Sequence, residues 1–264
     1  MGRAVNRALV LGPGGPVGTA WTAGLVAGLR RGGVDLGRAD LVVGTSAGAI
    51  VGAALSGDLE RLARLPAFDG RPPRVDPQRF DEVLAVLGDG RDPQTRLREV
   101  GRIALTADTI DEADHIALMA NLIGVRSWPA RRLLIPAVDV ETGLPVVWDR
   151  EAGVSLAVAV AASTAFPATA PPVSVKGRRY MDGALRAGTN LDLVAGAEVV
   201  VVLEPFAHLF GIDDDPAAVR ILPDSEAVEA LGPDPGDSTR WEPAYSSGTR
   251  QAVQCAERVR RVWI

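Results

Sequence analysis

Short apolar runs alternate with longer amphipathic ones along the first quarter of the chain. "RALVL" (7–11) and "LVV" (41–43) predict buried strands, and the helical spacing that follows each predicts helices over about Gly18–Arg30 and Ala47–Ser56. Strands apolar on both faces and separated by helices predict a parallel sheet covered on both sides. From Asp58 to about Ser127 the pattern is more polar, with helical candidates in "DLERLARL", "RFDEVLAVLG", "QTRLREVGRIALTA" and "DEADHIALMANLIG". With no strand between them, these predict a helical insertion (58–127) covering one side of the sheet.

Strand patterns return in "RRLLIPAVDV" and "LPVVWD", with Glu141, Thr142 and Gly143 as turn residues between them. A helix-like "SLAVAVAAST" follows, then "VSVKGRRYMDG", where Lys176 and Gly177 mark a tight turn, and "AEVVVVLEP", a buried strand. Beyond Pro205 the chain is rich in Asp, Pro and Gly until "SGTRQAVQCAERVRRVWI", read as a final amphipathic helix carrying Val253, Ala256, Val259 and Val262 on one face. The expected architecture is α/β: a single domain over 1–264, its central sheet mostly parallel and flanked by helices, with the insertion and a C-terminal extension (205–264) ending in a helix.

Composition narrows the functional classes. A chain of 264 residues, 47% hydrophobic, can bury a sizeable core. Its 28 Lys and Arg against 33 Asp and Glu leave a net charge of -5, which argues against general nucleic-acid binding. One cysteine, Cys255, makes no internal disulfide, and two histidines are too few for a typical zinc site, so a cytoplasmic setting without a metal is expected. The uncharged stretches 8–29, 41–57 and 152–175 read as core: Gly and Pro break the first and third, and the second is too short to span a bilayer.

The chemistry gathers around Ser46. Gly44-Thr45-Ser46-Ala47-Gly48 follows an apolar strand and opens a helix, as in a G-x-S-x-G nucleophile elbow; the competing reading is a small-residue turn with Ser46 as helix N-cap. Gly12, Gly14, Gly15 and Gly18 follow the first strand, and in a parallel sheet their loop faces the Ser46 turn across the carboxyl edge. The loop suits an oxyanion hole; it lacks both the dinucleotide fingerprint and a P-loop lysine. A serine hydroxyl needs a base. Asp182, at the end of "RRYMD" and before Gly183, is the first candidate, and an Asp-Gly turn is its alternative. His208 is the rival base, since Ser46, Asp182 and His208 stand in the chain order of an α/β-hydrolase triad, whereas His115 lies in the insertion.

Together these elements resemble the patatin-like phospholipases, lipid acyl hydrolases with a Ser-Asp dyad on a three-layer α/β fold. The similarity runs from Ala8 to about Asp192, through Gly14-Gly15-Pro16-Val17-Gly18, the elbow Gly44-Thr45-Ser46-Ala47-Gly48, and Asp182-Gly183-Ala184. The resemblance implies Ser46 as nucleophile, Asp182 as base, an oxyanion hole from Gly14, Gly15, Val17, Gly18 and Ala47, and no cofactor. Its substrate would be a lipid or other acyl ester, with the insertion either capping the core or bringing the site to a membrane as a peripheral contact. Val17 stands where the family usually has Arg or Lys, and Pro16 supplies no N–H. Val17, Trp21 and Leu25 are candidates for an acyl pocket or for core. A hydrolase using His208, and a non-catalytic nucleotide- or lipid-binding protein, are the alternatives.

Overall fold

The computed structural model describes residues 6–66, 73–207 and 218–264. The first two apolar runs are β1 (Arg7–Leu11) and β2 (Leu41–Gly44), followed by α1 (Gly15–Arg31) and α2 (Ala47–Ala54). They pair in parallel, Leu11 opposite Gly44 at the end of the ladder. Next come α3 (Pro77–Leu87), α4 (Pro93–Ala104) and α5 (Glu112–Ile123), then β3 (Arg132–Asp139), β4 (Pro145–Trp148), α6 (Leu156–Ser163), β5 (Val173–Val175), β6 (Arg178–Asp182) and α7 (Ala184–Ala187). The described chain closes with β7 (Val199–Leu203), β8 (Ala218–Ile221), α8 (Ser225–Leu231) and α9 (Trp241–Trp263).

The strands form a sheet in the order β5-β6-β3-β2-β1-β7-β8, with β4 paired to β3. Its β3-β2-β1-β7-β8 portion is parallel, and the pairs β3·β4, β3·β6 and β5·β6 are antiparallel. The fold is thus α/β with a mostly parallel central sheet flanked by helices. β3 does two jobs. Its first residues, Arg132–Leu134, pair with β2, and its last, Ala137–Asp139, pair with β6, bringing Asp182 opposite Ala137. The β5–β6 hairpin turns through Lys176 (φ 50°) and Gly177 (φ 81°), the two positive-φ residues that a tight hairpin of right-handed twist requires.

Strand alternation distributes the core. Leu9, Leu11, Val42, Leu133, Ile135 and Ala137 face one side, where α1, α2, α5, α6 and α9 pack. Val10, Val43, Leu134 and Val202 face the other, over Leu191 and Val194. Segment 58–127 does not cover one side of the sheet as expected. Met119, Leu122 and Ile123 of α5 join the first face, whereas Val83 of α3 and Val100 and Ile103 of α4 pack with Val138, Val140 and Met181 on the opposite one. Two Asp-Pro starts fix α3 and α4: Asp76 and Asp92 each accept an N–H of the first turn, and the following proline has no N–H to leave unpaired. "LERLA" (59–63) is a 3-10 turn rather than an α-helix.

Two further expectations change beyond Pro205. The Asp-, Pro- and Gly-rich stretch contributes β8, which extends the parallel sheet beside β7, and the short helix α8. The final helix begins at Trp241, and its buried face is Trp241, Ala244, Tyr245, Gly248, Ala252, Val259 and Trp263; of the predicted valines Val259 is buried there, whereas Val253 is 80% exposed and Val262 37%. The reason is angular. Steps of three residues rotate by 300°, so Val253 and Val262 lie on opposite sides of the helix, whereas alternating steps of four and three stay on one side. That side meets α1 at backbone contact: a Cβ on Gly24 would lie 2.1 Å from the Tyr245 carbonyl oxygen, and one on Gly248 would lie 2.2 Å from that of Trp21. Among the described residues, no helix is long and apolar enough to cross a membrane.

Candidate active site

The end of β2 and the start of α2 leave almost no room for side chains. A Cβ on Gly44 would lie 2.6 Å from the Gly48 carbonyl oxygen, and one on Gly48 only 2.0 Å from that of Leu11, at the end of β1. Both glycines of the motif are therefore required by backbone approach. Gly48→Ala should consequently lose at least about 3 kcal/mol of stability, the upper range for overpacking, because the obstacle is backbone rather than a movable side chain. Urea denaturation monitored by circular dichroism checks this, and a native midpoint would contradict the packing described.

Between the glycines, Ser46 sits at φ 53°, ψ −118°, backbone that a non-glycine residue adopts at a cost of about 1–3 kcal/mol. The surrounding hydrogen bonds hold it there. Thr45 N–H donates to Leu11 O (3.0 Å), Gly48 N–H to Thr45 O (2.8 Å) and Ser46 N–H to the buried Ser163 Oγ (3.1 Å). Ser46 occupies the N-cap position of α2 yet makes no capping bond with its side chain. Its hydroxyl instead donates to Asp182 Oδ2 at 2.7 Å, across 136 residues of sequence.

Asp182 ends β6 and is 1% exposed. Its second oxygen, Oδ1, accepts the Ala184 N–H at 2.8 Å, so the Asp-Gly turn and the serine contact coexist in one carboxylate. Gly183 is also constrained by packing, since a Cβ there would lie 2.2 Å from the Pro136 carbonyl oxygen. Burial raises the Asp182 carboxyl from 3.8 to about 7, against the lowering effects of the Ala184 N–H and the Ser46 hydroxyl. A carboxylate balanced near neutral pH is suited to accepting and returning a proton.

The glycine loop leaves β1 beside this turn, because Leu11 and Gly44 are partners in the ladder. Gly14 and Gly18 lie against the Pro205 ring, and Gly15 (φ 58°) lies against the Pro235 carbonyl. Not every amide in the loop is free. The Gly18 N–H donates to Gly14 O (2.9 Å) as the first bond of α1, and the Val17 N–H makes a long contact of 3.5 Å to Pro235 O. Gly14, Gly15 and Ala47 have N–H groups with no acceptor among the described residues. Ala47 opens α2, so its amide and the positive end of that helix adjoin the serine.

Other sequence candidates lie elsewhere. Val17, Trp21 and Leu25 are fully buried in the main core, and the Trp21 indole donates to Gln251 Oε1 on α9 (3.1 Å), so they pack α1 rather than line an open pocket. His115 is buried between α5 and α6, with Nε2 at 2.9 Å from Ala161 O and 3.2 Å from Thr164 Oγ1; desolvation lowers it to about 4, which keeps the ring neutral. His208 lies outside the described residues. Among the described residues, no group of three or more His, Cys, Asp or Glu is disposed to hold a metal.

Two residues of this neighbourhood escaped the sequence reading. Ser163, at the last turn of α6, caps the Ser46 amide and also accepts the Gly183 N–H with its carbonyl (3.3 Å). Asn190, fully buried, donates through Nδ2 to Thr45 Oγ1 (3.0 Å) and Gly183 O (3.1 Å). A serine ending an uncharged helix is a weak signal for the first, and the lone asparagine between Thr189 and Leu191 carries none for the second.

Comparison with known proteins supplies the family. Residues 9–195 match the family model described as patatin-like phospholipase. No curated protein sequence matches the chain. Among solved structures, VipD from Legionella pneumophila is similar with a TM-score of 0.47 and 13% identity over 97% of this chain and 67% of its own. The type III effector ExoU is similar with a TM-score of 0.37 and 16% identity over 96% of this chain and 53% of its own, so the present chain spans about half the length of that protein. The family match takes in most of the chain, from β1 and the glycine loop through the Ser46 turn to the Asp182 strand. The chain belongs to the patatin-like phospholipase family of lipid acyl hydrolases.

Proposed function

We propose that the protein hydrolyses fatty-acyl esters of phospholipids or related lipids through a Ser46–Asp182 dyad. The observation that carries this reading is the 2.7 Å hydrogen bond from Ser46 Oγ to a buried Asp182 carboxylate oxygen. In the first half-reaction Ser46 Oγ attacks the ester carbonyl carbon while Asp182 Oδ2 takes the hydroxyl proton. The resulting oxyanion sits against the Gly14, Gly15 and Ala47 amides, each such donor typically contributing about 2.7–4 kcal/mol to the transition state. Asp182 then returns the proton to the departing alcohol oxygen, leaving the acyl group on Ser46. In the second half-reaction water attacks that acyl carbon, gives its proton to Asp182, and releases the fatty acid as Ser46 regains its hydrogen. Gly18 and Val17 shape the loop without donating, which narrows the donor set implied by the family resemblance.

A base that titrates near neutrality leaves a signature in the pH profile. Below about 7 the Asp182 carboxyl is protonated and cannot accept from Ser46. The expected kcat/KM for a soluble long-chain p-nitrophenyl ester falls tenfold per pH unit below that value and levels above it. A profile flat from pH 5 to 8 would remove Asp182 from the role of base.

A further inference from the structure

The dyad joins two corners of the fold, the β2–α2 elbow and the β6–α7 turn, and its chemistry depends on their register. We propose that Asn190 is the positioning residue that holds this register, tying Thr45 on one side of the nucleophile to Gly183 on the far side of the acid. The proposal rests on the dyad reading and extends it to a residue that touches neither Ser46 nor Asp182.

The geometry is fully specified. Asn190 is 0% exposed, and the two hydrogens of its amide nitrogen are shared among three acceptors, Thr45 Oγ1 at 3.0 Å, Gly183 O at 3.1 Å and Gly188 O at 3.1 Å. Its amide oxygen accepts from Arg186 Nη1 at 2.8 Å, which rules out the flipped orientation. Arg186 is itself fixed by Asp192, through Nη1–Oδ1 at 2.8 Å and Nη2–Oδ2 at 2.6 Å. The chain Asp192–Arg186–Asn190 therefore ends on both corners at once. Thr45 closes the link by contacting Thr189 O at 3.4 Å. The arrangement demands an amide: a carboxylate at 190 would accept from Arg186 equally well but would turn lone pairs toward the Gly183 and Gly188 carbonyls.

A purely conformational role is the competing account, because Asn190 has φ 59°, ψ 38°, a left-handed conformation that asparagine tolerates. Asn190→Gly separates the two. Glycine adopts the same backbone without strain and removes only the amide. The variant should keep a native circular dichroism spectrum and a native KM for the p-nitrophenyl ester. Its kcat and its rate of fluorophosphonate labelling at Ser46 should fall by about 10- to 100-fold, the scale expected when catalytic groups are misplaced by a fraction of an ångström to one ångström. The midpoint of the acid limb should move upward, because a loosened Ser46 bond no longer helps hold the Asp182 charge. Thr45→Val, which cuts the same link from the elbow side, should lower kcat in the same direction, and the double variant should lose less than the product of the two.

Native kcat and a native pH midpoint in Asn190→Gly, with only the melting temperature lowered, would overturn the proposal. Should Asn190→Gly fail to fold, Thr45→Val decides alone: reduced kcat with native KM supports the link, and native kcat overturns it. Failure of the underlying reading looks different. In that case the native chain itself takes no label on Ser46, whereas failure of the Asn190 proposal leaves native and variant labelled at equal rates.

Discussion

Ser46→Ala should abolish covalent labelling by a fluorophosphonate and lower ester turnover by at least about 10⁴-fold, the loss typical of removing a serine nucleophile that works with a base as a unit. The substitution deletes one oxygen and leaves the elbow otherwise intact. Alanine bears the same backbone strain at φ 53° as serine does, and the Ser46 N–H keeps its bond to Ser163 Oγ. Folding should therefore survive, and the loss can be read as chemistry. Asp182 in this variant keeps only the Ala184 N–H and loses the hydroxyl that stabilises its charge. Intact-mass spectrometry of native and variant chains, with turnover of a long-chain p-nitrophenyl ester alongside, measures both effects. A variant that still labels stoichiometrically places the nucleophile elsewhere. A native chain that never labels supports a lipid-binding protein without turnover, and a native chain that labels but loses all turnover in His208→Ala supports the triad.

The parts of the site that were legible in the sequence are those written in local backbone demands. Gly44 and Gly48 signal a close approach that only glycine permits, and the apolar β2 before them signals a buried strand. Lys176-Gly177 signals its own hairpin in the same way. Asp182 was legible only in combination: an Asp-Gly pair ending a strand-like segment reads by itself as a turn, and the Ser46 motif with the glycine loop makes it a candidate base. The remainder depends on partners distant in sequence. Asn190 is defined by Thr45 and Gly183, and Ser163 by Ser46 and Gly183. The glycine loop offers several amides on paper, but the Gly18 N–H is used by α1. In α9 a spacing of three places Val259 correctly in the core but carries Val253 and Val262 off the buried face, which is otherwise built from Trp241, Ala244, Tyr245, Gly248 and Ala252. β8 was hidden because "AVRI" is short and follows an Asp- and Pro-rich stretch.

Asp182→Asn should separate activity from stability in opposite directions. Asparagine is nearly isosteric, can accept the Ala184 N–H through its oxygen, and can face Ser46 Oγ with its amide, so the fold is kept. It cannot take a proton from Ser46, and kcat should fall by about 10³- to 10⁴-fold, toward the upper end of what a general base contributes. Stability should move the other way above pH 7. The Asp182 carboxyl titrates at 3.8 when unperturbed and at about 7 in the fold, so between those values the unfolded chain is ionised while the folded chain holds its proton. Native stability is therefore lost as pH rises through that window, by about 4 kcal/mol at 1.36 kcal/mol per pH unit, and the variant escapes this loss. His115 has the opposite sign. Its imidazole is lowered from 6.5 to about 4, so its contribution is present above 6.5 and is lost as pH falls toward 4, by about 3 kcal/mol. In the native chain the two slopes offset each other between pH 4 and 6.5, and in Asp182→Asn only the histidine slope remains. Thermal melts across pH 4 to 9 should accordingly show the variant melting above the native chain at pH 8 and declining steeply in acid. Equal melting temperatures at pH 8 would mean that ionising Asp182 costs the fold nothing, and full turnover in the variant would mean that Ser46 passes its proton elsewhere.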